Sequence, residues 1–141
     1  MSREIENEIS NADRYINEIY KLLTDFLAYL DNHAEPEVVP GRIVVQDKTI
    51  SIECYGFRLS ANPRVVRDEQ GYFAVEYIFY AREEEVEEEL WRFYLTEDRR
   101  LRVSIDGDDS LCDFDNRFVA RYICVPVMQA ALKSVLFKPT E

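Results

Sequence analysis

Residues 80–95, YAREEEVEEELWRFYL, place six glutamates between two aromatic stretches, and the order of helices and strands depends on whether this segment is a helix or a hairpin. As a helix it would gather its apolar residues on one stripe, but its glutamates would repel one another at a spacing of four. As a hairpin it faces aromatic and aliphatic side chains across two strands: Phe79 opposite Trp91, Tyr77 opposite Phe93 and Val75 opposite Leu95. Such cross-strand pairs contribute about 0.2–1 kcal/mol each, so the pattern favours the hairpin.

The hairpin sets Arg82 opposite Glu88 and leaves the remaining acids at its solvent end. With the helical alternative, the order of elements resembles that of a known protein family. With a helix at 81–97 and a strand at 118–125, the element order becomes α-βββ-α-ββ-α. That order, together with the acidity and a length of 141 residues, resembles the small type III secretion chaperones and implies a chaperone or adaptor role.

The N-terminal segment 3–32 carries the strongest periodicity in the chain. Apolar residues recur at alternating steps of four and three: Ile5, Ile9, Ala12, Ile16, Ile19, Leu23, Phe26 and Leu30. This pattern predicts a long helix that begins after Ser2 and ends near Asn32.

The two halves of this apolar seam differ. The first half is narrow and flanked by charge at Glu6, Glu8 and Asp13, whereas the second half is wider. We expect the second half to pack on the protein's own core. The first half, with Ile5, Ile9, Ala12 and Ile16 as its contact residues, is then available to a partner or to a second copy in a homodimer. The alternative is that the whole helix lies across its own sheet.

The rest of the chain reads as strands followed by a helix. Residues 34–41 are a linker, and a hairpin closes near Asp47–Lys48. Residues 61–71 read as a polar loop. Residues 118–125 fit either a strand or a helix that is capped by Asp113 or Asp115 and kinked at Pro126.

These readings predict an α+β fold in a single domain, 1–141. An antiparallel sheet of five to six strands is flanked by a long N-terminal amphipathic helix and a C-terminal helix. The expected bounds are 1–33 for the long helix, 34–41 for the linker, 42–106 for the antiparallel sheet, and 107–141 for a loop and the C-terminal helix.

Composition narrows the function classes. The formal net charge of −11 opposes direct binding to nucleic-acid phosphates or to an anionic membrane surface, and it suits a protein partner that is itself basic. The three cysteines form no C-x-x-C pair, and the N-terminus is polar and acidic, which together indicate a cytoplasmic protein.

No catalytic constellation is visible. The one histidine, His33, follows the long helix, where a capping role is the ordinary expectation. The acidic stretch from Asp106 to Asp115 suggests a cation site, but its spacing fails the calcium-loop pattern. The four glycines are too dispersed to form a phosphate loop. We therefore expect no catalytic residue, cofactor or metal ion.

The outer face of the sheet offers a second candidate surface. It carries tyrosine and arginine, which are enriched at binding hot spots: Tyr55, Arg92, Tyr94 and Arg102. The leading hypothesis is a non-enzymatic cytosolic protein-binding module, such as an adaptor, a small acidic chaperone or a regulatory subunit, that forms a homodimer through its N-terminal helix. The alternatives are an acidic inhibitor that mimics nucleic acid on a partner protein, and a small-ligand binder or enzyme without a recognisable motif.

Overall fold

A computed structural model describes residues 2–107 and 109–137. It contains two helices, eight strands and a terminal 3₁₀ turn. In chain order these are α1 (Arg3–Asn32), β1 (Gly41–Gln46), β2 (Thr49–Cys54), β3 (Phe57–Ala61), β4 (Pro63–Arg67), β5 (Phe73–Glu83), β6 (Val86–Thr96), β7 (Arg100–Arg102), β8 (Ser110–Asp113), α2 (Val119–Leu132) and the 3₁₀ turn (Val135–Phe137). The predicted α+β class, with a helix at each end of an antiparallel region, is confirmed.

Helix α1 begins and ends where its sequence predicts. The Ser2 side chain accepts a hydrogen bond of 3.3 Å from the backbone N–H of Ile5, which satisfies one of the free donors of the first turn. At the other end His33 is the C-cap, and its Nδ1 lies 3.0 Å from the carbonyl oxygen of Tyr29. The histidine therefore closes the helix, as expected.

Within the described residues eight strands form two sheets, where five or six strands in one sheet were expected. The first sheet has the order β1-β2-β3 and the second the order β4-β5-β6-β7-β8, and all neighbours are antiparallel. Two local features account for the difference. Tyr55 and Gly56 both adopt positive φ, so they form a two-residue turn that splits residues 49–61 into β2 and β3. Asn62 alone separates β3 from β4.

The expectation of a polar loop at 61–71 is wrong for its first part. Residues 63–67 form β4, an edge strand of the five-stranded sheet that pairs with β5. Pro63 stands at the first position of that strand, where its missing N–H removes no necessary ladder bond. A strand that opens with proline and holds only two central valines carries a weak sequence signal, which is why it was missed.

The acidic segment is a hairpin, as the aromatic pairing predicts. β5 and β6 are joined by a two-residue turn at Glu84–Glu85, and the pairs Phe79–Trp91, Tyr77–Phe93 and Val75–Leu95 all stand opposite each other. Arg82 faces Glu87 and not Glu88, because a bulge between Phe79 and Tyr80 shifts the register by one residue. The hairpin also removes the α-βββ-α-ββ-α order on which the resemblance to type III secretion chaperones rests.

The C-terminal region is a helix that contains a proline. Residues 118–125 do not form a strand, because Val119, Ile123 and Val127 are fully buried at helical spacing and fix α2 on the sheet. Pro126 leaves the carbonyl of Tyr122 without its helical partner, but that residue is exposed to water.

Two further expectations for this region are wrong. Neither Asp113 nor Asp115 caps α2; its N-cap is Phe118, which makes no side-chain capping bond. Residues 110–113, expected as loop, form β8 beside β7.

One buried cluster draws side chains from both helices and both sheets. Tyr77 links the sheets. Its ring is fully buried and stacks on Phe93 with centroids 5.3 Å apart, and its hydroxyl donates a hydrogen bond of 2.7 Å to the carbonyl oxygen of Lys48 in the β1–β2 turn. Burial raises the pKa of the Tyr77 hydroxyl, so it remains a donor at neutral pH.

Candidate functional site

The first half of α1 exposes the apolar seam that its second half buries. Ile5 and Ile9 are 49% and 58% exposed, whereas Ile19, the fifth member of the seam, is 2% exposed and begins the core. Ala12 and Ile16 lie between these extremes and are half-buried. The structure therefore places the four predicted contact residues Ile5, Ile9, Ala12 and Ile16 on one continuous helical face, which we call the exposed seam.

Acidic side chains border the exposed seam. Glu6 and Asp13 follow its first and third members, and Glu8 precedes its second member. Within residues 2–107 and 109–137, none of these three carboxylates has a salt-bridge partner. No ion pair in this part of the chain therefore neutralises the border.

A cleft of about 470 Å³ runs beside the exposed seam. One wall is the helix, from Glu4 to Tyr15, and the other is formed by Arg67, Gly71 and Phe73 at the β4–β5 connection. Ala12 belongs both to the seam and to this cleft. Its small side chain leaves space at the centre of the seam.

Part of the second candidate surface forms a polar cluster on the outer face of the five-stranded sheet. Glu76 is 5% exposed and accepts a hydrogen bond of 2.9 Å from the Tyr94 hydroxyl. Its carboxylate oxygens also lie 2.9 Å from Arg64 Nη2 and 3.4 Å from Arg92 Nη1. Arg92 further binds the Glu89 carboxylate. The hydrogen bond to Glu89 is the main cause that raises the pKa of the Arg92 guanidinium.

This cluster supports the sheet more than it offers a contact surface. Every charged group in it is paired, and Tyr94, one of the predicted contact residues, is buried. Arg64 was missed by sequence reasoning because it lies on β4. The only available signal was the pattern Pro-Arg-Val-Val-Arg, whose first arginine stands opposite Glu76 in the sheet register.

Of the remaining two predicted contact residues, only Tyr55 lies away from this face of the sheet. Arg102 stands beside Tyr94 in the sheet register, but its guanidinium binds Asp98 at 2.6 Å and lines a different cleft. Tyr55 is in the β2–β3 turn, where its ring packs edge-on against Phe137 with centroids 5.6 Å apart. The four residues Tyr55, Arg92, Tyr94 and Arg102 therefore do not form one surface.

The cleft at Arg102 has a volume of about 360 Å³ and contains two neighbouring acids in opposite environments. Partial burial, with the charges of Asp68 and Glu18 nearby, raises the pKa of Glu97. For Asp98 burial acts in the same upward direction. Hydrogen bonds from Thr96 and Arg102 outweigh it and lower the pKa. No motif marks this pair in the sequence.

The side chains that could act in catalysis or bind a metal ion either contact other groups of the protein or do not come together. His33 stacks on Tyr29 at 4.0 Å and caps α1. Asp106 accepts a hydrogen bond from the N–H of Glu69, and Asp113 pairs with Arg100. Asp108, which belongs to the same acidic stretch, lies outside the described residues. Within residues 2–107 and 109–137, no group of three histidine, cysteine or carboxylate side chains converges as a metal-ligand set.

The acids of the hairpin are divided between its two faces. Glu87 binds Arg82 and Glu89 binds Arg92 on the outer face, while Glu88 accepts a hydrogen bond of 3.1 Å from the N–H of Val135. Three of the six glutamates therefore hold the protein's own structure. This geometry does not favour a polyanion-mimicking face.

The chain matches no protein-family model, no curated protein and no solved structure. Among the described helices, none combines the length and the apolar character needed to cross a bilayer.

Proposed function

We propose that this protein is a non-enzymatic protein-binding module, in the broad class of adaptors, small acidic chaperones and regulatory subunits, and that the exposed seam is its recognition element. The observation that supports the proposal is the change in burial along one helix face. Residues at equivalent positions pass from half exposed at Ile5 and Ile9 to fully buried at Leu23 and Phe26. Isoleucine at heptad spacing on a solvent-exposed helix is typical of a surface that packs against another helix.

The helix is ordered before it binds. Residues 19–30 anchor α1 in the core, and residues 3–18 continue the same helix without interruption. A partner therefore meets a preformed surface about 20 Å long and does not have to order it, which favours binding.

The proposal places the module in the cytoplasm. Cys54, Cys112 and Cys124 are buried and form no disulfide, a state that reducing compartments maintain. The sequence-based expectation of a homodimer through α1 is untested. The border charges discussed below favour a different protein as the partner, and sedimentation equilibrium distinguishes the two.

Site-specific photocrosslinking tests the proposed function. A photoreactive phenylalanine analogue replaces Ile9 in the full-length protein, which is expressed in its native host and irradiated. The expected result is a discrete covalent adduct of defined mass, either with one other protein or with a second copy. The matched control carries the same analogue at Val38, which is 59% exposed but lies in the linker far along the chain from the seam.

A diffuse adduct pattern that is identical for the two positions would refute the proposal. A second variant, Ile9→Ser in the background of a photoreactive analogue at Ile5, should weaken the adduct if seam packing holds the partner. Circular dichroism of that variant would verify that α1 remains helical.

A further inference from the structure

The chemistry of the partner follows from the charges that border the exposed seam, given the proposed function on which this inference rests. In a two-helix contact, the residues next to the seam face their counterparts on the other helix. Glu6 and Asp13 border one side and Glu8 and Tyr15 border the other. Three of these four bordering residues are acidic, and none is basic.

A second copy of the same helix would bring like charges together in either orientation. In a parallel pair, Glu8 of one copy faces Asp13 of the other. In an antiparallel pair, the Glu6 and Asp13 side faces itself. Each such contact is destabilising by a few tenths of a kcal/mol, and the net charge of −11 on each chain adds a longer-range repulsion.

The exposed seam is also short for a self-sufficient coiled coil. Its four residues span less than two heptads, whereas a stable coiled coil extends over about three to four. A contact of this length needs added attraction across its borders. Residues 3–18 contain five acidic and two basic residues, so that attraction must come from positive charge on the partner.

We infer that the exposed seam binds an amphipathic helix of another protein, whose apolar face of about two heptads is bordered by lysine and arginine. A large apolar side chain of that helix, such as leucine or phenylalanine, packs over Ala12 towards Phe73 in the adjoining cleft. The basic borders pair with Glu6, Glu8 and Asp13, and these pairs select the partner over a second copy.

Two synthetic peptides test this inference on the full-length protein. Both are 21-residue amphipathic helices with the same leucine seam; one carries lysine and the other glutamate at every bordering position. Fluorescence anisotropy should show at least tenfold tighter binding of the lysine peptide, with an affinity that falls as salt rises from 50 to 300 mM. A lysine peptide of identical composition with a scrambled seam should not bind.

Matched variants separate the border charges from the overall acidity. The triple variant Glu6→Gln, Glu8→Gln, Asp13→Asn should lose most of the discrimination between the peptides. The triple variant Glu83→Gln, Glu84→Gln, Glu85→Gln removes the same number of charges at the hairpin tip and should retain it. Equal loss in both variants would overturn the inference in favour of general electrostatic attraction.

The two proposals fail in different ways. If both peptides bind equally and Ile9→Ser abolishes binding, the seam is a recognition element but its partner is not selected by charge. If neither peptide binds, or if Ile9→Ser has no effect, the proposed function fails as well. Sedimentation equilibrium tests whether the occupant is a second copy. A dimer at micromolar concentration that becomes tighter in the variant Glu6→Gln, Glu8→Gln, Asp13→Asn would identify a second copy as the occupant and overturn the inference.

Discussion

Two substitutions at equivalent positions of one helix test how α1 is used. Ile9 and Leu23 stand two heptads apart on the same apolar seam, and either can be replaced by alanine, the best helix former. Leu23 is 1% exposed and Ile9 is 58% exposed. The structure therefore predicts very different losses of the free energy of unfolding from two chemically similar truncations.

The magnitudes follow from burial. Leu23→Ala removes buried methyl groups and leaves a cavity in the core, at a cost of about 3–5 kcal/mol. Ile9→Ala removes side-chain atoms that already contact water, and alanine gains a few tenths of a kcal/mol in helix propensity. The net change should lie within about 0.5 kcal/mol of zero.

Guanidinium unfolding measures both changes. Far-UV circular dichroism follows the helices, and the fluorescence of Trp91, the one tryptophan in the chain, follows the packing of the hairpin. Measurements at 1 and 50 μM protein show whether association contributes to stability. A loss above about 1.5 kcal/mol for Ile9→Ala, or a midpoint that rises with protein concentration, would show that the exposed seam is covered in solution and would refute the reasoning.

Three further predictions follow. Tyr77→Phe should lower the free energy of unfolding by about 1–2 kcal/mol, measured by guanidinium unfolding, because the carbonyl oxygen of Lys48 loses a buried donor; an unchanged stability would contradict the inter-sheet link. At pH 7 Glu97→Gln should raise the melting temperature and Asp98→Asn should lower it, because folding raises the pKa of Glu97 and lowers that of Asp98. Changes of the same sign in the two variants would contradict this reasoning. Burial raises the pKa of the Cys124 thiol from 9.0 to about 12. A thiol reagent at pH 8 should therefore label Cys124 only after unfolding. The contribution of Cys124 to the free energy of unfolding should be full below pH 9 and should decline as the pH rises towards 12.

The hairpin was predictable because its signal is local and periodic. Alternation with period two fixes which side chains face the core, and a slip of either strand by one residue would have turned its own member of the Tyr77–Phe93 pair to solvent. The bulge that moved Arg82 to Glu87 was not predictable. It lies between Phe79 and Tyr80, both of which suit a regular strand.

The split of residues 49–61 into β2 and β3, two strands of one sheet, was hidden for a different reason. Cys54 and Phe57 continue the strand-like composition on both sides of Tyr55–Gly56, so the turn interrupts no apolar run. Gly56 was the one signal of a turn in the sequence, because tyrosine rarely adopts the positive φ that Tyr55 has here.

The candidate site also combines a feature that depends only on local sequence with one that depends on the strand order. The exposed seam could be read from the sequence because heptad spacing depends on nothing outside the helix. The polar cluster at Glu76 could not, because it joins Arg64 on one neighbouring strand to Arg92 on the other, and those partners follow only once the strand order is known. The grouping of Tyr55 with Arg102 was wrong because alternation assigns a sheet face but does not assign the sheet.

The continuity of α1 connects the fold to the proposed function. An isolated helix of 16 residues is marginal in water, so residues 3–18 would not present an ordered face by themselves. Their order is supported by the buried second half, in which Ile19, Leu23 and Phe26 fix the helix axis on the sheets. Since the exposed seam and the buried seam are the same stripe on one helix, the core determines the direction in which Ile5 and Ile9 point. The buried half of α1 therefore sets the direction of the exposed seam, and substitutions at the border acids should alter the proposed choice of partner while leaving the core intact.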